Sequence, residues 1–203
     1  LTYSLRGSMN LVIYGESGAG KSWLFKKVAD DLDCYYLVAN AANALRFGSL
    51  TAELKNLAEE HLERDLSKTI EEKSALADAL FAKGSLGIKK EYSHYPKEPL
   101  MACFELIRQQ AGHRKAVLVV DNVEQIFDRR ELMDELGSLL ILLDDHRYAK
   151  HNVAFVLIGV PSGIRSYFSR SRNQSTISKR LEEIAEVTCL SDGQVHSLMY
   201  KGF

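Results

Sequence analysis

Gly15-Glu16-Ser17-Gly18-Ala19-Gly20-Lys21-Ser22, close to the start of the chain, fits GxxxxGK[ST] at every fixed position. Glycines let a backbone curl so that successive amide N–H groups point inward, where they meet phosphate oxygens. A helix starting near Lys21 adds the positive end of its dipole to the same anion. The Lys21 ammonium can reach the β- and γ-phosphates of a nucleotide, and the Ser22 hydroxyl can ligate Mg²⁺. The bland alternative is a glycine-rich turn that happens to precede Lys-Ser, and the flanks argue against it. Asn10–Tyr14 is a short apolar, β-branched run that reads as a strand entering the loop. After the loop, Leu24, Phe25 and Val28 share one helical face.

A second cluster lies about a hundred residues on. Val117-Leu118-Val119-Val120-Asp121 is four apolar residues and an aspartate, the Walker B pattern that complements the Walker A loop at 15–22. A carboxylate at the end of a buried strand can hold Mg²⁺ against a triphosphate, directly or through water. The alternative is an ordinary strand ending in a turn aspartate. Asn122 follows, and its amide can orient a water molecule but cannot accept its proton. Glu124 can accept one, although in the turn after the strand its side chain need not aim at a γ-phosphate.

The elements that must position these groups read as α/β. Strands fit Asn10–Tyr14, Cys34–Ala39, Ala116–Val120, Val153–Ile158 and Ala185–Leu190. Between them, leucines recur at helical spacing over residues 50–82, Pro99 opens a helix Leu100–Gln110, and Glu131–Asp144 forms a leucine-rich helix that packs under the sheet. A short strand is expected near Gly87–Tyr92, and Ser191 is expected to cap a last helix. Five strands alternating with helices imply a parallel sheet. The 203 residues, 46% hydrophobic and 26% charged, have the profile of a folded domain, and 26 Lys plus Arg against 27 Asp plus Glu argue against a histone-like coat on nucleic acid. No apolar run approaches the ~20 residues of a bilayer span. Cys34, Cys103 and Cys189, with no CxxC pair, read as reduced, buried thiols of a cytoplasmic protein. The six histidines lack ligand spacing, so zinc is not expected, and Trp23 reads as core packing rather than as an adenine platform.

With both motifs in place, the chain resembles a P-loop NTPase of the AAA+ or STAND type. The resemblance implies a three-layer α/β/α sandwich with a five-stranded parallel sheet ordered 5-1-4-3-2. It implies a nucleotide-binding domain over residues 1–190 and the start of a truncated helical lid over 191–203 of a longer protein. ATP and Mg²⁺ are the implied ligands, with a homo-oligomer or a partner protein completing the module. AAA+ proteins usually place a glutamate where this chain has Asn122. Either Glu124 serves as a displaced base, or hydrolysis is slow and ATP occupancy sets a switch; the resemblance of Asp-Asn-Val-Glu to some STAND ATPases favours the switch. Ser162 is the nearest hydroxyl to the sensor 1 position, and a capping serine explains it equally well. Residues 152–180 carry no acid, and Ser-Lys-Arg-Leu at 178–181 resembles the arginine-finger segment. Arg180 is the leading candidate there, Arg170 or Arg172 the next, in a stretch that also holds Arg165 and Lys179. A solvated basic loop or a patch for nucleic-acid phosphates are the other readings of that stretch. Three functions follow: an ATPase module coupling Mg·ATP to assembly, a P-loop small-molecule kinase, and a non-hydrolysing nucleotide-dependent scaffold.

Overall fold

Ala116–Val120 is apolar without alternation because both of its faces are covered. In the computed structural model, which describes residues 1–7, 10–61, 98–160, 181–184 and 186–201, all five of these residues are buried. They belong to β3 (Ala116–Asp121), which lies between β2 (Tyr35–Asn40) and β4 (Val153–Val160). Beyond β4 come β1 (Asn10–Tyr14) and β5 (Leu181–Glu183), and every neighbouring pair is parallel. The order β2-β3-β4-β1-β5 is the one the family resemblance implied.

Side chains alternate along a strand, so the sheet carries two cores. One face presents Leu11, Ile13, Val117, Val119, Val156 and Ile158 to Leu5 of α1 (Thr2–Arg6) and to Phe25 and Ala29 of α2 (Lys21–Asp31). Phe25 also meets Tyr36 edge-on, with ring centroids 5.3 Å apart. The other face presents Val12, Leu37, Ala39, Leu118, Val120, Phe155 and Leu157. It is covered by α3 (Ala41–Phe47), α4 (residues 50–61), α5 (Pro99–Ala111), α6 (Arg130–Leu142) and Tyr148 of α7 (His146–Ala149). Pro99 stands in the first turn of α5, and Glu98 caps that helix by accepting from the Leu100 and Met101 amides. Ser191 and Gln194 bond reciprocally at the start of α8 (Asp192–Lys201), a capping box. Among the described residues, no helix is long and apolar enough to cross a membrane.

Several expectations change. The final strand is Leu181–Glu183, not Ala185–Leu190. Leu181 enters the core beside β1, whereas Cys189 and Leu190 are exposed. Past Glu183, among the described residues, the pairing continues as the Ile184 amide on the Val12 carbonyl, the Val187 amide on the Tyr14 carbonyl and a bridge between Gly15 and Val187. Cys34 and Cys103 are buried as expected, but Cys189 is exposed. Burial, with the Glu98 and Glu53 carboxylates adding to it, pushes the Cys103 thiol up to about 12. Trp23 is 67% exposed rather than in the core, because the buried stripe of α2 runs through Lys21, Phe25 and Ala29. Residues 62–82 of the long helical stretch and the strand expected near Gly87–Tyr92 lie outside the described residues. The short helices α1, α3 and α7 carry too few turns for an apolar period to reveal them.

Glu135 of α6 ties the α4 layer down. Its carboxylate accepts from the Leu50 and Thr51 amides at 2.8 Å each, and from the Ser49 and Thr51 hydroxyls. Burial alone would raise its pKa, but the hydrogen bonds from Thr51, Leu50 and Ser49 outweigh burial and hold it below the ordinary carboxylate value. A depressed folded-state pKa stabilises the fold above the unfolded value and loses that contribution as pH falls through the folded one. Glu135→Ala should therefore destabilise the protein by about 2–4 kcal/mol at pH 7 in urea titrations, two amides losing their acceptor. The gap between variant and parent should shrink as pH drops below about 4.

Candidate nucleotide-binding site

The loop 15–20 leaves β1 at the carboxyl edge of the sheet and turns directly into α2. Gly18 and Gly20 have φ of 82° and 85°, and Gly20 is the N-cap of α2. A side chain would strain these left-handed positions, the second of which starts α2. Lys21 is buried to 8% exposure, and its Nζ donates to the Gly15 carbonyl at 3.1 Å and to the Glu16 carbonyl at 2.7 Å. The ammonium is thus held inside the curl of its own loop. Gly15 has a different reason to be glycine. A Cβ there would lie 2.1 Å from the Val187 carbonyl oxygen, because residue 187 runs alongside and its amide bonds the Tyr14 carbonyl.

Asp121 ends β3 two strands away from β1, and α2 spans the gap. Ser22 Oγ donates to Asp121 Oδ1 at 3.0 Å, joining positions 99 residues apart. The Asn122 amide donates to the same oxygen at 2.8 Å. Asn122 itself is left-handed (φ 60°), a conformation asparagine tolerates, and its Nδ2 donates to Asn40 Oδ1 at 3.1 Å. Asn40 ends β2 in register with Asp121, and its Oδ1 also caps α3 through the Ala42 amide.

Glu124 sits in a 3₁₀ turn, Val123–Gln125, and reaches back toward the end of β4. A Cβ on Gly159 would fall 1.9 Å from Glu124 Oε2, so glycine at that place makes room for the carboxylate. Glu124 Oε2 is buried and has no hydrogen-bond partner among the described residues. The sequence-expected groups at 15–22, 121, 122 and 124 therefore share one edge of the sheet. Ser162, Arg165, Arg170, Arg172, Lys179 and Arg180 lie outside the described residues. Sequence reasoning missed Asn40 and Gly159. Asn40 had a signal, a polar residue closing an apolar strand as Asp121 does; Val187 beside Gly15 had none.

A family model described as an AAA domain matches residues 5–168. The chain belongs to that family, and it is a P-loop NTPase of the AAA+ superfamily. No curated protein matches it in a sequence search. Among solved structures, Cdc6p from Pyrobaculum aerophilum matches 98% of this chain at 15% identity with a TM-score of 0.52. The Aeropyrum pernix ORC2 protein in its ADP form matches 97% at 13% identity and 0.59, and its ADPNP-ADP complexes match 96% at 12% and 0.58. At such identities the likeness is one of fold. The chain spans about half the length of these proteins, 45%, 47% and 45% respectively.

The close approach at Gly15 is open to test. Gly15→Ala must displace Val187 or strain φ at a cost of about 1–3 kcal/mol. Hydrogen exchange at the Ile184 and Val187 amides should accelerate in that variant, while the β3 and β4 amides keep their protection.

Proposed function

We propose that the chain binds Mg·ATP and works as a slow, STAND-like AAA+ ATPase switch that couples nucleotide occupancy to assembly with further copies or a partner protein. The observation that carries the reading is the convergence of Ser22 Oγ and Asp121 Oδ1 at 3.0 Å beside a glycine loop holding Lys21. A hydroxyl and a carboxylate are hard oxygen donors of the kind Mg²⁺ takes, so the two residues fit the ion. Bound there, Mg²⁺ would offset negative charge on the β- and γ-phosphates.

In this reading the amides of Gly15, Glu16, Ser17, Gly18, Ala19 and Gly20 cradle the phosphates, and Lys21 exchanges its two carbonyl partners for phosphate oxygens. Slow turnover is supported by the placement of the two candidate water-holding residues. Asn122 has no basic atom, and its Nδ2 is engaged by Asn40. Glu124 is capable of accepting a proton, but its carboxylate is tucked under Gly159 in the turn. Arg180, from the sequence pattern, is proposed to complete the site from a neighbouring subunit. Residues 1–190 would then be the nucleotide-binding domain, and α8 would open the small helical lid. All described side chains of α8 are exposed, as expected of an element that finishes its packing elsewhere.

Phosphate release from Mg·ATP, followed against protein concentration, tests the reading. The rate should stay below about 1 s⁻¹ and rise per subunit with concentration. Arg180→Ala should remove the concentration-dependent part, a loss of about tenfold or more. A fast, concentration-independent turnover abolished by Glu124→Gln would contradict the switch. ATP bound with no release at any concentration would favour the non-hydrolysing scaffold, which the engaged Asn122 amide also supports.

A further inference from the structure

Glu53 of α4 is a carboxylate only 4% exposed, and it takes no direct part in the site described above. Its Oε1 accepts from the Asn40 backbone amide at 2.8 Å and stands 3.5 Å from Asn43 Nδ2. Its Oε2 is buried without a hydrogen-bond partner among the described residues. Capping α3 does not account for it, because the Asn40 side chain already bonds the Ala42 amide. Burying a carboxylate costs several kcal/mol unless its bonds repay it, so its position calls for a use.

The bonds that lead away from Glu53 form one line. Glu53 Oε1 holds the Asn40 amide; Asn40 Oδ1 holds Asn122 Nδ2; the Asn122 amide holds Asp121 Oδ1; and that oxygen receives Ser22 Oγ. Each link is 2.8–3.1 Å long. Asn122 is the member the line can set, since its left-handed turn is one that asparagine tolerates and its Nδ2 bond to Asn40 holds that turn against Asp121. We propose that Glu53 is a positioning residue for the magnesium-binding pair: by fixing Asn40 it locks the left-handed turn at Asn122 and so aims Asp121 at Ser22. The inference rests on the reading of Ser22 and Asp121 as magnesium donors. It makes the α4 layer, itself tied to α6 through Glu135, a determinant of how well the site takes the metal.

The test is the affinity for a fluorescent ATP analogue, measured with Mg²⁺ and with EDTA. Partners that orient metal ligands cost about 10–100-fold in metal affinity when removed, so Glu53→Ala should cut the magnesium enhancement about tenfold while leaving the EDTA affinity alone. Glu53→Gln, which keeps an oxygen for the Asn40 amide, should restore the enhancement; a merely structural role would move both affinities together. Asn40→Ala breaks the same line one bond nearer to Asp121 with Glu53 in place. It should behave as Glu53→Ala does, and it serves if that variant does not fold. Full enhancement in either alanine variant overturns the proposal. Parent protein that binds no nucleotide overturns the nucleotide reading, and parent protein that binds it equally without magnesium overturns the magnesium reading of Ser22 and Asp121; either result takes this inference with it.

Discussion

One hydrogen bond sets the demands on the rest of the molecule: Ser22 Oγ to Asp121 Oδ1. Ser22 begins the helix after β1, and Asp121 ends β3, yet β1 and β3 are not neighbours. The parallel sheet, with β4 lying between them, brings the two groups to the same edge. The strand in between must also leave room for the turn after Asp121, and β4 does so at Gly159, with its left-handed φ of 81° and the Glu124 carboxylate against it. On the far side, β1 must turn away sharply, and it does so at Gly15 under the Val187 carbonyl. These constraints bring the proposed nucleotide-binding residues to the carboxyl ends of the parallel strands, where open α/β sheets generally take their ligands.

The energetics divide between the two faces. The α1–α2 face is small and apolar, anchored by Phe25, Ala29 and Leu5 on residues of β1, β3 and β4. The opposite face is larger and contains the polar ties: Glu135 on the start of α4, Glu53 on Asn40, Glu98 on α5 and on the Tyr148 hydroxyl. Each of these carboxylates satisfies backbone amides at a helix start or a strand end, where the regular ladder leaves donors over. The side of the sheet that carries the polar bonds is also the side from which α3 packs on the turn after Asp121 and Glu53 of α4 reaches Asn40.

Much of this was legible in the sequence, for stated physical reasons. The glycine loop announces itself because few residue types fit a backbone cradle, and β3 because a strand buried on both faces must be apolar throughout. Four of the five strands fell within two residues of their observed limits, since strong β-branched runs leave little choice. The last strand was misplaced because Ala185–Leu190 is apolar enough to suggest a strand, while the pairing partner that decides, β1, is far away in sequence. Trp23 was misread for a related reason: its type favours burial, but its angular position on α2 belongs to the solvent. Glu53 and Gly159 could not be ranked from the chain alone, because their importance lies in contacts with Asn40 and Glu124 that no local pattern encodes.

The central claim is that the loop around Lys21 holds nucleotide phosphates. The most direct measurement is calorimetric titration of the protein with ATP in magnesium, set beside the same titration of Lys21→Ala. The account predicts one site per chain and a loss of at least about tenfold in affinity when the buried ammonium is removed, the usual worth of hydrogen bonds to a charged group. Equal affinity in the two proteins, or no binding heat in the parent, would contradict it.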